Sequence, residues 1–248
     1  MTTREIRISE DAPHLFRDTA AMFAKIAADA VGRTGRFTVA LSGGSTPRNL
    51  FSLLATEFRS AVPWAKTQLF WSDERHVPPD NPESNYRMAY EAMISKVPVP
   101  AENIHRIMAE MPDAAAAASD YERTLIDVFA LAPGQVPRFD LIMLGMGPDG
   151  HTASLFPGSA GLTERKRLVI ANWVEKFKTE RITFTFPVLN NAACDLFITS
   201  GADKATMLKD VLEHHQDPPY PAQLVKPDGR LLWMVDRAAA ANLKPAQN

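Results

Sequence analysis

Cysteine is nearly absent from this chain. Cys194 is the one thiol among 248 residues, so no intrachain disulfide can form. A reducing compartment is the simpler setting for such a protein. Charge of one sign is lacking too: the formal net charge is -2. That balance argues against binding nucleic acid through bulk positive charge, while leaving room for a local cationic pocket. No apolar run approaches a membrane span, and the opening residues, Met1 to Ile8, lack the apolar core of a secretory signal. The expectation is a soluble cytoplasmic protein with neither a membrane nor a nucleic-acid partner. Missing motifs narrow the field further. Without C-x-x-C or H-E-x-x-H, no metal is expected. Without G-x-S-x-G, a serine-hydrolase elbow has no support. Leu41-Ser42-Gly43-Gly44 is similar to a nucleotide-contacting segment of transporter ATPases, but the chain has no G-x-x-x-x-G-K-[ST] phosphate loop to accompany it.

What is present is an ordinary globular composition, 46% hydrophobic and 23% charged, enough for a sizeable core. Strand-like and helix-like runs alternate. Strands are expected at Ile6–Ile8, Phe37–Leu41, Thr67–Trp71, Ile104–Ile107, Phe139–Leu144, Leu168–Trp173, Ile182–Phe186, Leu196–Ser200 and Leu231–Val235. Helices are expected at Pro13–Val31, from Pro47 through about Ala55, and at Asn85–Val97, Pro112–Leu131 and Ala202–His214, with a short last one to about Asn242. Alternation of this kind implies an α/β fold, a mostly parallel open sheet with helices on both faces, in a single domain spanning residues 1–248. The Pro-rich pieces at Val77–Pro82 and Asp217–Pro221 read as loops within that domain.

Three segments concentrate chemistry. The apolar run Leu141-Ile142-Met143-Leu144 ends in Gly145-Met146-Gly147-Pro148-Asp149-Gly150-His151. It reads as a buried strand leaving the sheet through a glycine turn, and the carboxyl ends of such strands are where ligands bind. His151, with Asp149 beside it, is the candidate general base. The glycines also match G-x-G-x-x-G, but Asp149 puts a carboxylate in a turn that a dinucleotide site reserves for pyrophosphate. The second segment, Ser42-Gly43-Gly44-Ser45-Thr46-Pro47, lies between a strand and a helix. Its glycines, hydroxyls and free amides suit a phosphate, Pro47 suits the first helical position, and a plain strand–helix turn with a Ser/Thr cap is the competing reading. The third, Ser72-Asp73-Glu74-Arg75-His76, follows a strand and is either a polar-substrate site or a solvated loop. Arg181 and Lys204, taken alone, read as surface charges, although a lysine at a helix start opposes the dipole. Cys194 has no basic neighbour in sequence and reads as structural.

Taken together these blocks, with Asn85-Tyr86, Thr152-Ala153-Ser154-Leu155-Phe156-Pro157, Arg181-Ile182-Thr183 and Gly201 with Lys204-Ala205, resemble the 6-phosphogluconolactonase family, whose superfamily also holds glucosamine-6-phosphate deaminase. The resemblance implies a Rossmann-like fold of the deaminase/isomerase type and hydrolysis of 6-phospho-D-glucono-1,5-lactone in the oxidative pentose phosphate pathway. It implies no cofactor and a small phosphosugar lactone as partner; a monomer is plausible. His151 is the expected base, oriented by Asp149, with Arg75 at the developing negative charge. Ser42, Gly43, Gly44, Ser45, Thr46, Asp73, Arg181 and Lys204 are the expected substrate contacts. The deaminase pattern has a glutamate where this chain has Phe156 and a tyrosine where it has Arg75. A deaminase/isomerase and a non-catalytic sugar-phosphate binder are the alternatives.

Overall fold

The computed structural model describes residues 3–244; the ends of the expected 1–248 domain lie outside the described residues. Six parallel strands form the main sheet. They are β1 (Thr3–Ser9), β2 (Phe37–Leu41), β3 (Thr67–Trp71), β5 (Leu141–Leu144), β8 (Cys194–Thr199) and β9 (Arg230–Asp236), ordered β1-β9-β8-β5-β2-β3. Every residue of β2, β5 and β8 is buried. This is why those segments read as continuous apolar runs and not as alternating ones. The flanking helices are α1 (Ala12–Thr34), α2 (Ser45–Leu54), α3 (Asn85–Ala92), α4 (Ala114–Phe129), α5 (Phe186–Asn190) and α6 (Ala205–Glu213). Their ends follow local chemistry. Asp11 caps α1 by accepting from the His14 amide, and Gly35 closes it at φ +77°. No helix among the described residues is long and apolar enough to cross a membrane.

The chain leaves β2 toward β3 and leaves β5 toward β8, on opposite sides. The carboxyl ends of β2 and β5 therefore flank the point where strand order reverses, which opens a crevice between the two outgoing turns. A second, smaller sheet stands at this edge. It contains β4 (Asp73–Arg75), β7 (Thr179–Phe184) and β6 (Val169–Val174), all antiparallel. Ser72 joins the sheets: its amide donates to Leu41 O at 2.9 Å and its carbonyl accepts from the Phe184 amide at 2.9 Å. Tyr121 of α4 fixes the same junction, accepting from the Trp71 amide at 2.8 Å and donating to the Trp71 carbonyl at 3.1 Å. Phe139 and Tyr121 both pack on Phe184, so the aromatic core runs beneath both sheets.

Several sequence expectations change here. β4 was expected as loop; three residues with two acids and an arginine carry no strand signal, and β7 pairing alone makes it one. Ile104–Ile107 forms no strand, only a single bridge from Ile104 to Leu69. The Asn85–Val97 helix stops at Ala92, because Met93 leaves helical geometry at φ -137°, and a 3-10 turn follows at Ile94–Lys96. The strand expected to run to Phe186 ends at Phe184, since Phe186 opens α5 with Pro187 in its first turn. The segment after β9 forms turns instead of a helix.

Candidate active site

The turn after β5 builds the centre. Gly147 N donates to His151 O at 2.9 Å, Gly150 N donates to Gly147 O at 3.1 Å, and Gly150 takes φ +73°. Thr152 Oγ1 ties the turn to the strand end by donating to Gly145 O at 2.9 Å. The His151 ring lies directly over Gly147, where a Cβ would sit 2.0 Å from His151 Cε1 and Nδ1. Glycine is required there by the ring, not by the backbone. Asp149 Oδ1 meets His151 Nδ1 at 2.5 Å, and Asp149 Oδ2 lies 3.4 Å from Lys176 Nζ. An ionised Asp149 can only accept, so Nδ1 carries the proton and Nε2 is the basic nitrogen. Burial lowers the His151 pKa, the carboxylates of Asp149 and Asp73 oppose that, and the net shift is downward. Burial pushes Asp149 upward, but the hydrogen bond and charge of His151, with Lys176, leave it below its ordinary value. The pair is therefore a neutral imidazole oriented by a carboxylate at pH 7. Phe156 stacks on the imidazole, centroids 4.0 Å apart. The turn is not followed by a helix; the next helical residues are the 3-10 turn Ala160–Thr163, which removes the basis for a dinucleotide reading.

β4 faces this turn. Asp73 is buried, and its Oδ2 accepts from Ser154 Oγ at 2.6 Å. Its Oδ1 has only a long contact, 3.5 Å, to Asn85 Nδ2. Glu74 points the other way and anchors the start of α3. Its carboxylate accepts from the amides of Arg75, Asn85 and Tyr86 at 2.7–2.8 Å and from Ser84 Oγ at 3.0 Å. Burial raises its pKa and those four donors oppose the rise. Arg75 is fixed by Nη1 donating to Glu83 O at 2.6 Å. Opposite it in the ladder stands Arg181 of β7. Each arginine has a buried Nε with no hydrogen-bond partner among the described residues. Burial and then the Arg75 charge lower the Arg181 pKa. Two adjacent guanidiniums with donors unused form a place for an anion.

The third wall is the turn after β2. Gly44, at φ +106°, precedes α2 with no side-chain cap, so the Ser/Thr cap of the competing turn reading is not there. α2 begins at Ser45, which makes Pro47 the third helical residue and not the first. The first-turn amides lack intrahelical acceptors. Ser42 Oγ is buried without a partner among the described residues. Asn85 lies across Gly43 so closely that a Cβ there would come within 1.8 Å of its Oδ1.

These walls enclose a cavity of about 200 Å³ bounded by Ser42, Gly43, Gly44, Asp73, Arg75, Asn85, Gly147, His151 and Arg181. Arg75, Gly44 and Asn85 also line an adjoining cavity, with Ser45 and Arg48. Asp149 acts from behind His151, and Thr46 and Lys204 line neither cavity; Lys204 Nζ lies 3.3 Å from Asp203 on the same edge of the sheet. Sequence reasoning missed Asn85, the turn's Met146 and Ala153 as lining residues. A positive φ of 46° at Ala153, uncommon for a residue with a Cβ, marks the turn as held by its surroundings. Among the described residues no group of three or more His, Cys, Asp or Glu is placed to hold a metal ion. Four other histidines are engaged elsewhere: His14 with Asp11, His76 with the Met111 carbonyl, His105 with Gln68, and His214 with Asp210. Cys194 is buried and its thiol is pushed up to about 11, which makes it inert at neutral pH.

The profile of the glucosamine-6-phosphate isomerase/6-phosphogluconolactonase family matches residues 10–233. The chain belongs to this family. Within it, the 6-phosphogluconolactonase of Nostoc sp. is 44% identical over 215 residues, covering 86% of this chain and 88% of that one. That of Synechocystis sp. is 42% identical over 217 residues, covering 87% and 88%. The crystal structure of the Thermotoga maritima 6-phosphogluconolactonase superposes with a TM-score of 0.82 at 30% identity, covering 94% of this chain and all of that one. The family name joins two activities, and Phe156 bears on which applies. Stacked on His151, it covers one face of the imidazole with an apolar ring that cannot ionise.

Proposed function

We propose that this chain hydrolyses 6-phospho-D-glucono-1,5-lactone to 6-phosphogluconate, as one unit spanning residues 1–248 in the cytoplasm. The observation that carries this reading is the Asp149-oriented, neutral His151 opening onto a cavity that also holds Arg75 and Arg181. His151 Nε2 takes a proton from water as its oxygen attacks the lactone carbonyl. Positive charge from Arg75 stabilises the oxyanion of the tetrahedral intermediate. Collapse re-forms the carbonyl and breaks the bond to the ring oxygen, which receives the proton from the imidazolium. Asp149 keeps Nδ1 protonated throughout and steadies the imidazolium between the two transfers. The phosphate sits on Ser42, Gly43, Gly44, Ser45 and the α2 amides, neutralised by Arg181, with Lys204 adding potential at longer range. Asp73 Oδ1, which has only the 3.5 Å contact to Asn85 Nδ2 among the described residues, accepts from a sugar hydroxyl. Water is the only co-reactant.

The test is to generate the phospholactone in situ and measure how far the purified protein accelerates its loss over spontaneous hydrolysis. His151→Ala should reduce turnover by roughly 10²- to 10⁴-fold with the fold intact. A folded variant with near-normal turnover removes His151 from the role of base.

A further inference from the structure

Two large apolar side chains stand half exposed on the β6–β7 hairpin, Trp173 and Phe177. Trp173 has a local partner, since its Nε1 donates to Glu175 Oε2 at 2.8 Å. Phe177 has no comparable local role. It sits in the four-residue turn between Val174 and Thr179, which are paired across the hairpin, and its ring points back at the site. The Arg181 guanidinium lies over that ring, 5.2 Å from Cζ to centroid. Phe177 meets Phe156 edge to face at 5.9 Å and 82°, and Phe156 stacks on His151 at 4.0 Å and 22°. Arg181, Phe177, Phe156 and His151 thus form one continuous row from the anion-binding cation to the base.

The Arg181 side chain has no hydrogen bond and no ion pair with any other described residue, and its Nε is buried without a partner. A long side chain of that kind has several rotamers open to it. Like charge makes matters worse, because Arg75 is its cross-strand neighbour. Among the described residues the Phe177 face is the ring contact made by its guanidinium, alongside longer-range attraction from Asp73, Glu83 and Glu74. The turn itself is seated on the catalytic turn: Lys176 Nζ lies 3.4 Å from Asp149 Oδ2 and 5.5 Å from the Phe177 centroid. An ion pair between Lys178 and Glu175 closes the turn internally.

We propose that Phe177 is a positioning residue which holds Arg181 in the cavity for the substrate phosphate. The proposal rests on the reading of Arg181 as a phosphate ligand. Its effect belongs to binding of the phosphorylated end, not to the proton transfers at His151.

The experiment compares the full-length protein with Phe177→Leu, Phe177→Tyr, Arg181→Ala and the Phe177→Leu/Arg181→Ala double variant. The readouts are kcat and KM for the phospholactone and the inhibition constant of inorganic phosphate. Loss of one cation–π contact should raise KM and the phosphate inhibition constant about two- to fivefold in Phe177→Leu, with kcat little changed. Phe177→Tyr, which keeps the aromatic face, should match the parent protein. The double variant should be no worse than Arg181→Ala alone. Parent-like constants for Phe177→Leu, alongside weakened phosphate binding in Arg181→Ala, overturn the proposal and leave the phosphate reading standing. Unchanged constants in Arg181→Ala overturn both. A fall in kcat with KM unchanged in Phe177→Leu also overturns it, since that places Phe177 under Phe156 and His151 instead.

Discussion

Replacing Gly147 by alanine should disable His151 by displacing its ring. The backbone at Gly147 is outside the left-handed region, so alanine meets no conformational penalty of its own. The added Cβ, however, would lie 2.0 Å from both Cε1 and Nδ1 of His151 and 2.9 Å from Asp149 Oδ1. That is about 1.5 Å inside ordinary carbon contact, so the ring has to retreat by a comparable distance. Retreat breaks the 2.5 Å bond to Asp149 and is opposed by Phe156, stacked 4.0 Å away. A misplacement of this size costs on the order of 10²-fold in rate, about 2.7 kcal/mol of transition-state stabilisation. The assay is consumption of in situ phospholactone, with thermal unfolding run in parallel to show that the fold survives. Because the effect acts through His151, Gly147→Ala should cost nothing more in a His151→Ala background. Activity within threefold of the parent, in a variant of unchanged melting temperature, refutes the seating of the ring over Gly147. Additivity in the double variant refutes the mechanism of the effect.

Other consequences can be checked alongside. Burial lowers the His151 pKa below its ordinary 6.5 despite two nearby carboxylates, so kcat/KM should rise as His151 deprotonates, with its acid limb centred below pH 6.5. An acid limb above that value contradicts the burial argument. Asp195 is fully buried on β8 with neither carboxylate oxygen hydrogen-bonded among the described residues, and burial raises its pKa well above the ordinary range. Folding then favours the protonated form, so stability is lost as the pH rises from the unfolded value of about 3.9 toward the folded one. Asp195→Asn removes that loss: its melting temperature relative to the parent should climb by a few °C or more between pH 4 and pH 8, and a pH-independent difference refutes this. Glucosamine 6-phosphate should occupy the site through its phosphate yet release no ammonia, since Phe156 offers no proton where the deaminase pattern has a glutamate; sustained ammonia release at rates comparable to lactone hydrolysis reverses the assignment.

Much of this site was visible along the chain because its signals are local. The apolar run Leu141–Leu144, the glycine punctuation after it and the Asp149–His151 spacing all lie within eleven residues of one another, and strand, turn and side-chain pair follow from neighbours in sequence. The turn before α2 was legible for the same reason, though its cap and the place of Pro47 were not, because helix starts depend on where the preceding backbone turns. Arg181 entered only through resemblance to a family, since alone it reads as one more surface charge, whereas the segment holding Arg75 reads from its own residues as either a polar-substrate site or a solvated loop. Glu74 shows the limit most clearly. It sits between two cavity residues, yet alternation along β4 turns it away to the α3 amides, and β4 exists only because β7 pairs with it from more than a hundred residues downstream.

The sequence by itself determined most of the elements, the parallel sheet and the pairing of Asp149 with His151 in one strand-end turn, since apolar periodicity and turn chemistry act over a few residues. Only the tertiary structure decided that two arginines stand side by side with unused donors, that Phe156 covers the imidazole and that His151 is neutral at pH 7. Cross-strand register and desolvation arise from segments that meet after folding, and no window along the chain contains them.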